Sequence, residues 1–415
     1  MVSGEYYIAL GVTKLDEDYE NVGYLDVEKN SAYLHERVHF IQNCSTVYGV
    51  TRATYYLSQY LGMILKVKEG EFPLSSFLPY NSEEQDLVNA LFTCSAGDSF
   101  SNDGECIQCH SIEQVVKENT YAEYYEETFP EWKDKFKEQI ILKFDNDCKY
   151  ELGGNAISES MAYLFEKFFF NSSDYSHRFP YNVCEMLYQY VVGEMCQKIT
   201  ILIALCYASM MTMWPGNTFI ELLYEFKEKK DEIQTMRDVF ELSLSKMLPI
   251  NESIITELCR RIDLVFPIEK ENPMDIFEKE SEYTCGWLKE RYRYISGHEE
   301  EFRDALIWVM EECEKERKVS AMAKLLDEYG HPLIIDKNGK LYNANDKKMV
   351  HVLAPFSLWG LLMERNGKCS LYQVCKGNGE KTDIMCGSEC WKHECIENIC
   401  IFRYYLYKMG LGNIQ

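Results

Sequence analysis

The segment at residues 31–41 reads SAYLHERVHFI, and it decides how the N-terminal half of the chain is interpreted. Polar capping side chains around Asn30 precede it, which is typical of the start of a helix. Leu34, Val38 and Ile41 recur at spacings of four and three, so they predict an apolar face that anchors this helix in a core. We therefore expect a rigid helix with packing on one side and polar chemistry on the other.

His35 and His39 are four residues apart on this predicted helix. On an α-helix, this spacing places both imidazoles on the same face, where they suit a tetrahedral zinc ion. Glu36 is rotated by about 100° from His35. Its carboxylate would therefore reach past the metal and accept a proton from zinc-activated water. The spacing predicts two zinc ligands and a general base.

This HExxH pattern resembles the active-site helix of the zincin metallopeptidases, although the resemblance covers only this helix and one later helix. It implies a mainly α (α+β) fold with a zincin-like core, and an intracellular enzyme that cleaves peptide bonds. The three-histidine metzincin branch is excluded, because Gln42 and Ser45 occupy the positions of its extra glycine and histidine. The gluzincin branch takes its third ligand from a glutamate on a later helix, so the resemblance is gluzincin-like.

The third zinc ligand is expected to be Glu159, in the segment GGNAISESMAYLFEKFFF at residues 153–170. This segment predicts a helix that is apolar on nearly all sides. A carboxylate buried there needs a partner, for which a metal is sufficient and a buried salt bridge is the other explanation. The small Ala162 would let two helices approach closely. Glu166 and Glu126 remain alternatives for the third ligand.

A side chain that stabilises negative charge on the substrate oxygen is also expected in such an enzyme. His177, Tyr181 and His351 are candidates for this role. Each of these residue types is also common in structural and surface positions. The sequence therefore gives no reason to choose among them.

The rest of the chain is predicted to be mostly helical with small β elements. We expect a strand at Tyr6–Val12, interrupted helices between Ser111 and Asp145, and helices between Pro180 and Met213. We also expect a β-hairpin around Asn338–Gly339 and a final helix at about Glu389–Met409. A surface loop is predicted at Ser95–Gly104, because this stretch, SAGDSFSNDG, is rich in Ser, Gly, Asp and Asn.

The length of the chain predicts more than one domain. We expect a zincin-like catalytic domain at residues 1–215, with an insertion at about 67–150. A charged helical region follows at 216–330. The last segment, 331–415, combines the β-hairpin with a cysteine-rich helical part. The helical C-terminal half offers a surface for a protein partner.

The net charge of −24 argues against nucleic acid as a partner, because binding to a polyanion needs clustered Lys and Arg. The most apolar stretch, Ile199–Trp214, reads ITILIALCYASMMTMW and is shorter than the about 20 residues that span a bilayer. It predicts a buried helix and no membrane partner. The N-terminus shows no secretion signal, so a cytoplasmic location is expected.

The seventeen cysteines, an odd number, favour free thiols in a reducing compartment. The CIQCH stretch at Cys106–His110 matches a haem-attachment pattern, but that chemistry belongs to exported proteins. The final segment has six cysteines between Cys369 and Cys400, together with His393, without the paired spacing of zinc knuckles. Packed thiols are favoured there over a second, structural metal.

Two non-enzymatic hypotheses stay open beside the hydrolase. The chain could be a zincin-like scaffold that has lost catalysis, or an α-helical interaction module in which HERVH is incidental. The intact Glu36 favours the enzyme, because a scaffold has no use for a general base. Zinc is the one cofactor that the sequence predicts.

Overall fold

The computed structural model describes most of the chain. The described residues are 4–8, 10–15, 31–69, 83–98, 111–126, 130–145, 148–170, 179–266, 276–330, 333–336, 338, 340–342, 353–364, 369, 371–377, 386, 390 and 400–411. They are mainly helical with small sheets, which confirms the predicted mainly α class.

The helices account for most of the described residues. In chain order they are α1 (Ser31–Ser45), α2 (Val47–Lys68), α3 (Glu83–Ala96), α4 (Thr120–Glu126), α5 (Gly154–Phe170), α6 (Val183–Val192), α7 (Ile199–Met210), α8 (Pro215–Lys229), α9 (Met236–Ser243), α10 (Glu252–Val265), α11 (Ile276–Ser296), α12 (Glu299–Ile307), α13 (Lys318–Tyr329), α14 (Leu353–Glu364), α15 (Tyr372–Gly377) and α16 (Ile401–Lys408). Short 3₁₀ helices occur at Pro130–Lys135 and Lys315–Arg317, and a π-helical turn at Trp308–Glu312.

The strands form two small sheets in the described part of the chain. They are β1 (Gly4–Tyr7), β2 (Val12–Leu15), β3 (Ile112–Glu118), β4 (Gln139–Phe144), β5 (Lys149–Leu152), β6 (Leu333–Ile335) and β7 (Leu341–Tyr342). One sheet has the order β1-β2-β6-β7 and the other has the order β3-β4-β5.

Helices α1 and α5 begin close to where the sequence predicts them, and they pack against each other. They run in opposite directions, because His35 of α1 faces Glu166 of α5 whereas Gln42 faces Ser158. A side chain at Gly154, the first residue of α5, would overlap the ring of Tyr48. Glycine there lets α5 start directly against α2, which places the middle of α5 beside the two histidines.

Helix α7 is the buried helix that the apolar stretch predicts. Eleven of its twelve residues are buried, and it packs against α5, α8 and α9. Leu205 and Tyr207 in its middle are fully enclosed. In the described part of the chain, we find no helix with both the length and the apolar character needed to cross a bilayer.

The predicted single strand at Tyr6–Val12 is wrong, because the chain reverses within it. β1 and β2 pair as an antiparallel hairpin. The backbone amide of Gly11 donates to the carbonyl of Tyr7 at 3.1 Å, and Gly11 has a φ of 61°. Glycine adopts this left-handed conformation without strain, so the apolar run is divided at this turn.

The predicted helices between Ser111 and Asp145 are also largely wrong. This stretch contributes β3 and β4 to an antiparallel sheet, with only α4 and a 3₁₀ turn between them. Ile140, Leu142 and Phe144 are buried, whereas the residues between them are partly exposed. This alternation of period two is that of a strand with one face on the core, and β-branched residues favour it.

The three predicted segments share one hydrophobic core. Its main cluster includes Leu57, Leu222 and Leu406, one residue from each segment. β2, near the N-terminus, pairs in parallel with β6, and α10 packs against α2. The proposed domain boundaries stay a prediction.

The C-terminal segment contains the predicted β-hairpin, formed by β6 and β7. The carboxylate of Asp336 accepts hydrogen bonds from the backbone amides of Asn338 and Lys340, and these bonds close the turn. Of the predicted final helix, residues 401–408 are helical, and Gly410 has a φ of 70° just beyond its end. Residues 391–399 lie outside the described residues.

The cysteines of the C-terminal segment partly meet. Cys390 lies against the thiol of Cys369, and the backbone amide of Cys369 donates to the carbonyl of Cys386 at 2.9 Å. Within the described ranges, these cysteines form no group of three that could hold a metal ion. Residues 106–110, with the CIQCH stretch, and residues 393 and 395 are outside the described part.

Candidate metal centre

His35, His39 and Glu159 meet at one point between α1 and α5. The carboxylate oxygen Oε2 of Glu159 lies 3.1 Å from Nε2 of His35 and 3.3 Å from Nε2 of His39. One ligand atom from each residue lies within 4.8 Å of the others. The structure thus brings together all three residues that the sequence predicts as zinc ligands.

His39 is held from behind by a small hydrogen-bond network. Its Nδ1 lies 2.8 Å from Oε1 of Gln42, and the hydroxyl of Ser158 donates to the same oxygen at 2.6 Å. The amide nitrogen of Gln42 donates to the backbone carbonyl of Ser158 at 3.0 Å, which fixes the orientation of the amide. Since Oε1 is an acceptor, Nδ1 of His39 carries the hydrogen and Nε2 presents a lone pair.

His35 is held from behind by a carboxylate. Its Nδ1 lies 2.6 Å from Oε1 of Glu166, a residue that is 3% exposed. A carboxylate oxygen accepts, so Nδ1 of His35 is the donor, and its Nε2 is left to face Glu159. Metal-binding histidines commonly have such a carboxylate or carbonyl on the other ring nitrogen.

The structure distinguishes among the three glutamates that the sequence offers as the third ligand. Glu159 faces both Nε2 atoms, whereas Glu166 contacts Nδ1 of His35. Glu126 is exposed, at the end of α4, and it does not belong to the group that could hold a metal. Glu166 is therefore placed to orient a ligand instead of acting as one.

Two of the three separations between ligand atoms are compatible with a metal ion held between them. Bonds of 2.0–2.1 Å at tetrahedral angles separate neighbouring ligand atoms by about 3.3–3.4 Å. The observed separations of 3.1 and 3.3 Å are close to this value and longer than the roughly 2.8 Å of a charge-assisted hydrogen bond. These three atoms are held together by positive charge between them, which a bound metal ion or a proton on an imidazole supplies.

The electrostatics of the ligands show the same demand for a cation. Burial alone would lower the pKa of His35, but its contacts with Glu159 and Glu166 raise this pKa well above its usual value. Burial alone would raise the pKa of Glu159, but the charge of His39 and the contacts with both imidazoles lower it well below its usual value. Positive charge between these groups is therefore favoured.

Glu36 lies next to the ligands without joining them. It is buried, and burial raises the pKa of its carboxyl group, while His35 and His39 oppose this rise. Among the described residues, we find no hydrogen-bond donor that occupies its carboxylate. A carboxylate in this position is available to accept a proton.

The three candidates for oxyanion stabilisation differ in what the structure shows. The ring of Tyr181 lies 5.7 Å from that of His35, in an edge-to-face arrangement, and its backbone carbonyl accepts a hydrogen bond from Ser160 of α5. His177 and His351 are outside the described residues. Tyr181 is thus the candidate with a place beside the metal centre.

The centre is open to solvent on the side of Glu159. The side chain of Glu159 is 20% exposed, compared with 10% for His35 and 8% for His39. Asn155, one turn earlier on α5, is also partly exposed. A molecule from solvent would therefore approach along this edge of α5.

Sequence reasoning missed the residues that orient the ligands. The sequence does not predict an orienting role for Gln42 or Ser158, and it predicts Glu166 only as an alternative ligand. Two signals in the sequence point to them: Gln42 follows His39 by three residues, and Glu166 follows Glu159 by seven. Both spacings keep the later residue on the same helical face. Which ring nitrogen each one contacts depends on how α1 packs against α5.

Comparisons with protein-family models, with curated proteins and with solved structures found no match to this chain. The functional interpretation therefore depends on the geometry of the centre itself.

Proposed function

We propose that the chain is a zinc-dependent hydrolase that cleaves peptide bonds, or closely related amide bonds, with a zincin-like core. His35, His39 and Glu159 would hold the metal, and Glu36 would act as the general base. The observation that carries this proposal is the convergence of two Nε2 atoms and one carboxylate oxygen, with each imidazole oriented by a partner on its other nitrogen.

The donor set favours zinc over the common alkaline-earth cations. Two imidazoles and one carboxylate form a set that Zn²⁺ binds well, whereas Mg²⁺ and Ca²⁺ prefer oxygen ligands. Three protein ligands also leave one position of a tetrahedron for water or substrate, which is typical of catalytic rather than structural zinc. The exposed edge of Glu159 supports access to that position.

The bound ion would supply a Lewis acid that polarises the substrate carbonyl and increases the acidity of water. Glu36 would accept the proton of the attacking water and then deliver it to the leaving amine. Its burial and its freedom from described donors suit both steps. Tyr181 lies beside His35 and is the best-placed candidate to donate a hydrogen bond to the oxygen that becomes negative.

The test begins with metal-free protein, prepared with a chelator that is then removed. Zinc is titrated back, and we expect one ion per chain and a rise in melting temperature, because a ligand that binds only the folded state stabilises it. The metal-free and zinc-loaded forms are then incubated with a digest of denatured proteins. Mass spectrometry should show new peptide termini only in the zinc-loaded sample.

Two results would contradict the proposal. A chain that takes up no zinc at micromolar concentrations would exclude the metal centre. Zinc uptake without new peptide termini, in a digest that offers thousands of different bonds, would support a structural centre or a non-catalytic scaffold instead.

A further inference from the structure

Arg52 lacks the carboxylate partner that most arginines of the described residues have. The protein contains 67 acidic and 43 basic residues, so acidic partners are plentiful. Arg37, for example, pairs with Asp327, and Arg261 pairs with Glu257. For Arg52, no carboxylate of the described residues lies within 4.0 Å, and its Nε is buried without a hydrogen-bond partner.

Arg52 lies one turn of α2 from Tyr48, a residue that contacts the open edge of the metal centre. The hydroxyl of Tyr48 donates to Oδ1 of Asn155 at 3.2 Å. Asn155 in turn precedes Glu159 by one turn of α5. The charge of Glu159 acts on Arg52: burial alone would lower the pKa of the guanidinium, but Tyr48, Tyr56 and Glu159 raise it. The guanidinium is therefore charged and within electrostatic reach of Glu159.

An aromatic ring packs against this guanidinium. Its central carbon lies 5.9 Å from the centre of the Tyr56 ring, and the Tyr56 side chain also hydrogen-bonds with Arg52. Tyr56 contacts Phe92 of α3, on which Tyr55 stacks at 3.9 Å. The packed Tyr56 ring limits the directions in which Arg52 can point. A guanidinium restricted in this way favours a planar anion that it can bind with two parallel hydrogen bonds.

We propose that Arg52 is a substrate-binding residue that pairs with a carboxylate of the peptide substrate. The proposed class is thus peptides with a carboxylate near the bond that is cleaved, from a free C-terminus or from an acidic side chain. This inference rests on the proposed function, because the bound peptide is a substrate only if the chain cleaves peptide bonds. The binding itself is measurable without hydrolysis.

The experiment uses the full-length, zinc-loaded Glu36→Gln variant, in which hydrolysis is blocked. Immobilised protein is incubated with random heptapeptide libraries, and retained peptides are quantified by mass spectrometry. One library has free C-termini and a second has amidated C-termini. Each is made with Asp and Glu, and again with Asn and Gln in their place. Better retention of peptides with free C-termini would show that the bound group is the C-terminal carboxylate. Better retention of peptides with Asp and Glu would show that it is an acidic side chain.

We expect carboxylate-bearing peptides to be retained about 10- to 100-fold better than their neutral counterparts. Adding Arg52→Gln should abolish this preference, and Arg52→Lys should restore it in part, because lysine keeps the charge but not the fork. Arg291→Gln is the matched control, because Arg291 also has a buried Nε without a partner, on α11. That variant should keep the preference.

The outcomes separate this inference from the proposed function. Equal retention of all libraries, or a preference that survives Arg52→Gln, would overturn the substrate-binding role. A lower zinc affinity of Arg52→Gln with an unchanged preference would also overturn it, since Arg52 would then support Glu159. Absence of cleavage by the wild-type protein, alongside Arg52-dependent retention, would contradict the hydrolase and leave the carboxylate subsite in place.

Discussion

Helices α5 and α7 pack against each other and are both buried, but only α5 carries carboxylates that face α1. α7 is apolar along most of its length, and two polar side chains in its second half donate to backbone carbonyls: Ser209 to Leu205 at 2.6 Å and Tyr207 to Ser45 at 3.0 Å. α5 carries Glu159 and Glu166, and both meet ionisable side chains of α1.

This difference shows how a buried helix reveals a site. Burying a carboxylate is costly unless it is paired, so Glu159 and Glu166 are retained in α5 because α1 offers them partners. α7 contributes to stability mainly through apolar burial, and none of its residues belongs to the group that could hold a metal. Substitutions in α5 and in its partner helix α1 should therefore change metal binding and catalysis, whereas those in α7 should change only the free energy of unfolding.

The largest expected effect comes from His39→Ala. This variant removes one of two imidazole ligands, so we expect loss of stoichiometric zinc and of all hydrolysis. Metal content after dialysis, measured by mass spectrometry, checks this. His298→Ala is the control, because His298 bonds to the carbonyl of Tyr294, away from the cluster that could hold a metal. Full zinc occupancy in His39→Ala would show that His39 is not a metal ligand.

Glu36→Gln should have the next largest effect. The amide cannot accept a proton, so we expect kcat to fall by about 10²- to 10⁴-fold. Zinc content should stay at one ion per chain, because Glu36 does not belong to the ligand group. Hydrolysis rates and metal content measured on the same sample check both parts. An unchanged rate would reject Glu36 as the base even with zinc bound.

Leu205→Ala tests the other side of the comparison. Leu205 is fully buried in α7, and truncation of such a residue costs about 2–5 kcal/mol in the free energy of unfolding. Urea denaturation of the zinc-loaded protein measures this loss. Zinc affinity and kcat at a temperature well below melting should match those of the wild type. A specific loss of zinc affinity would mean that α7 also positions the centre.

Glu166→Gln should have the smallest effect of the four. The amide oxygen can still accept from Nδ1 of His35, but the negative charge is lost, so we expect zinc affinity to fall by about 10- to 100-fold. Competition with a chromogenic chelator measures this. Glu185→Gln is the control on the neighbouring helix α6, where Glu185 pairs with Lys167. Equal zinc affinities of Glu166→Gln and Glu185→Gln would show that Glu166 does not tune the metal ligand His35.

The elements predicted best from the sequence are those with strong local signals. The start of α1, the start of α5 and the turn at Asp336–Lys340 each depend on neighbouring residues, through capping, helical periodicity or turn chemistry. The prediction of helices between Ser111 and Asp145 was wrong because β4 is stabilised by pairing with β3 and β5. Strands are stabilised by such pairing, which local patterns do not reveal.

The candidate site shows the same division. Spacing alone places His35 and His39 on one face, and the cost of burying a carboxylate points to Glu159. The roles of Gln42 and Glu166 need the relative position of α1 and α5. No pattern along the chain indicates which ring nitrogen each residue contacts.

The sequence by itself determined two things about this protein: a mainly helical chain, and a HExxH helix whose two imidazoles share one face. Both follow from the fixed rise and rotation per residue of an α-helix. Only the tertiary structure decided that Glu159 meets these imidazoles, that Glu166 and Gln42 orient them, and that Arg52 has no carboxylate partner among the described residues. These contacts depend on how separate elements pack, and packing is set by the whole core.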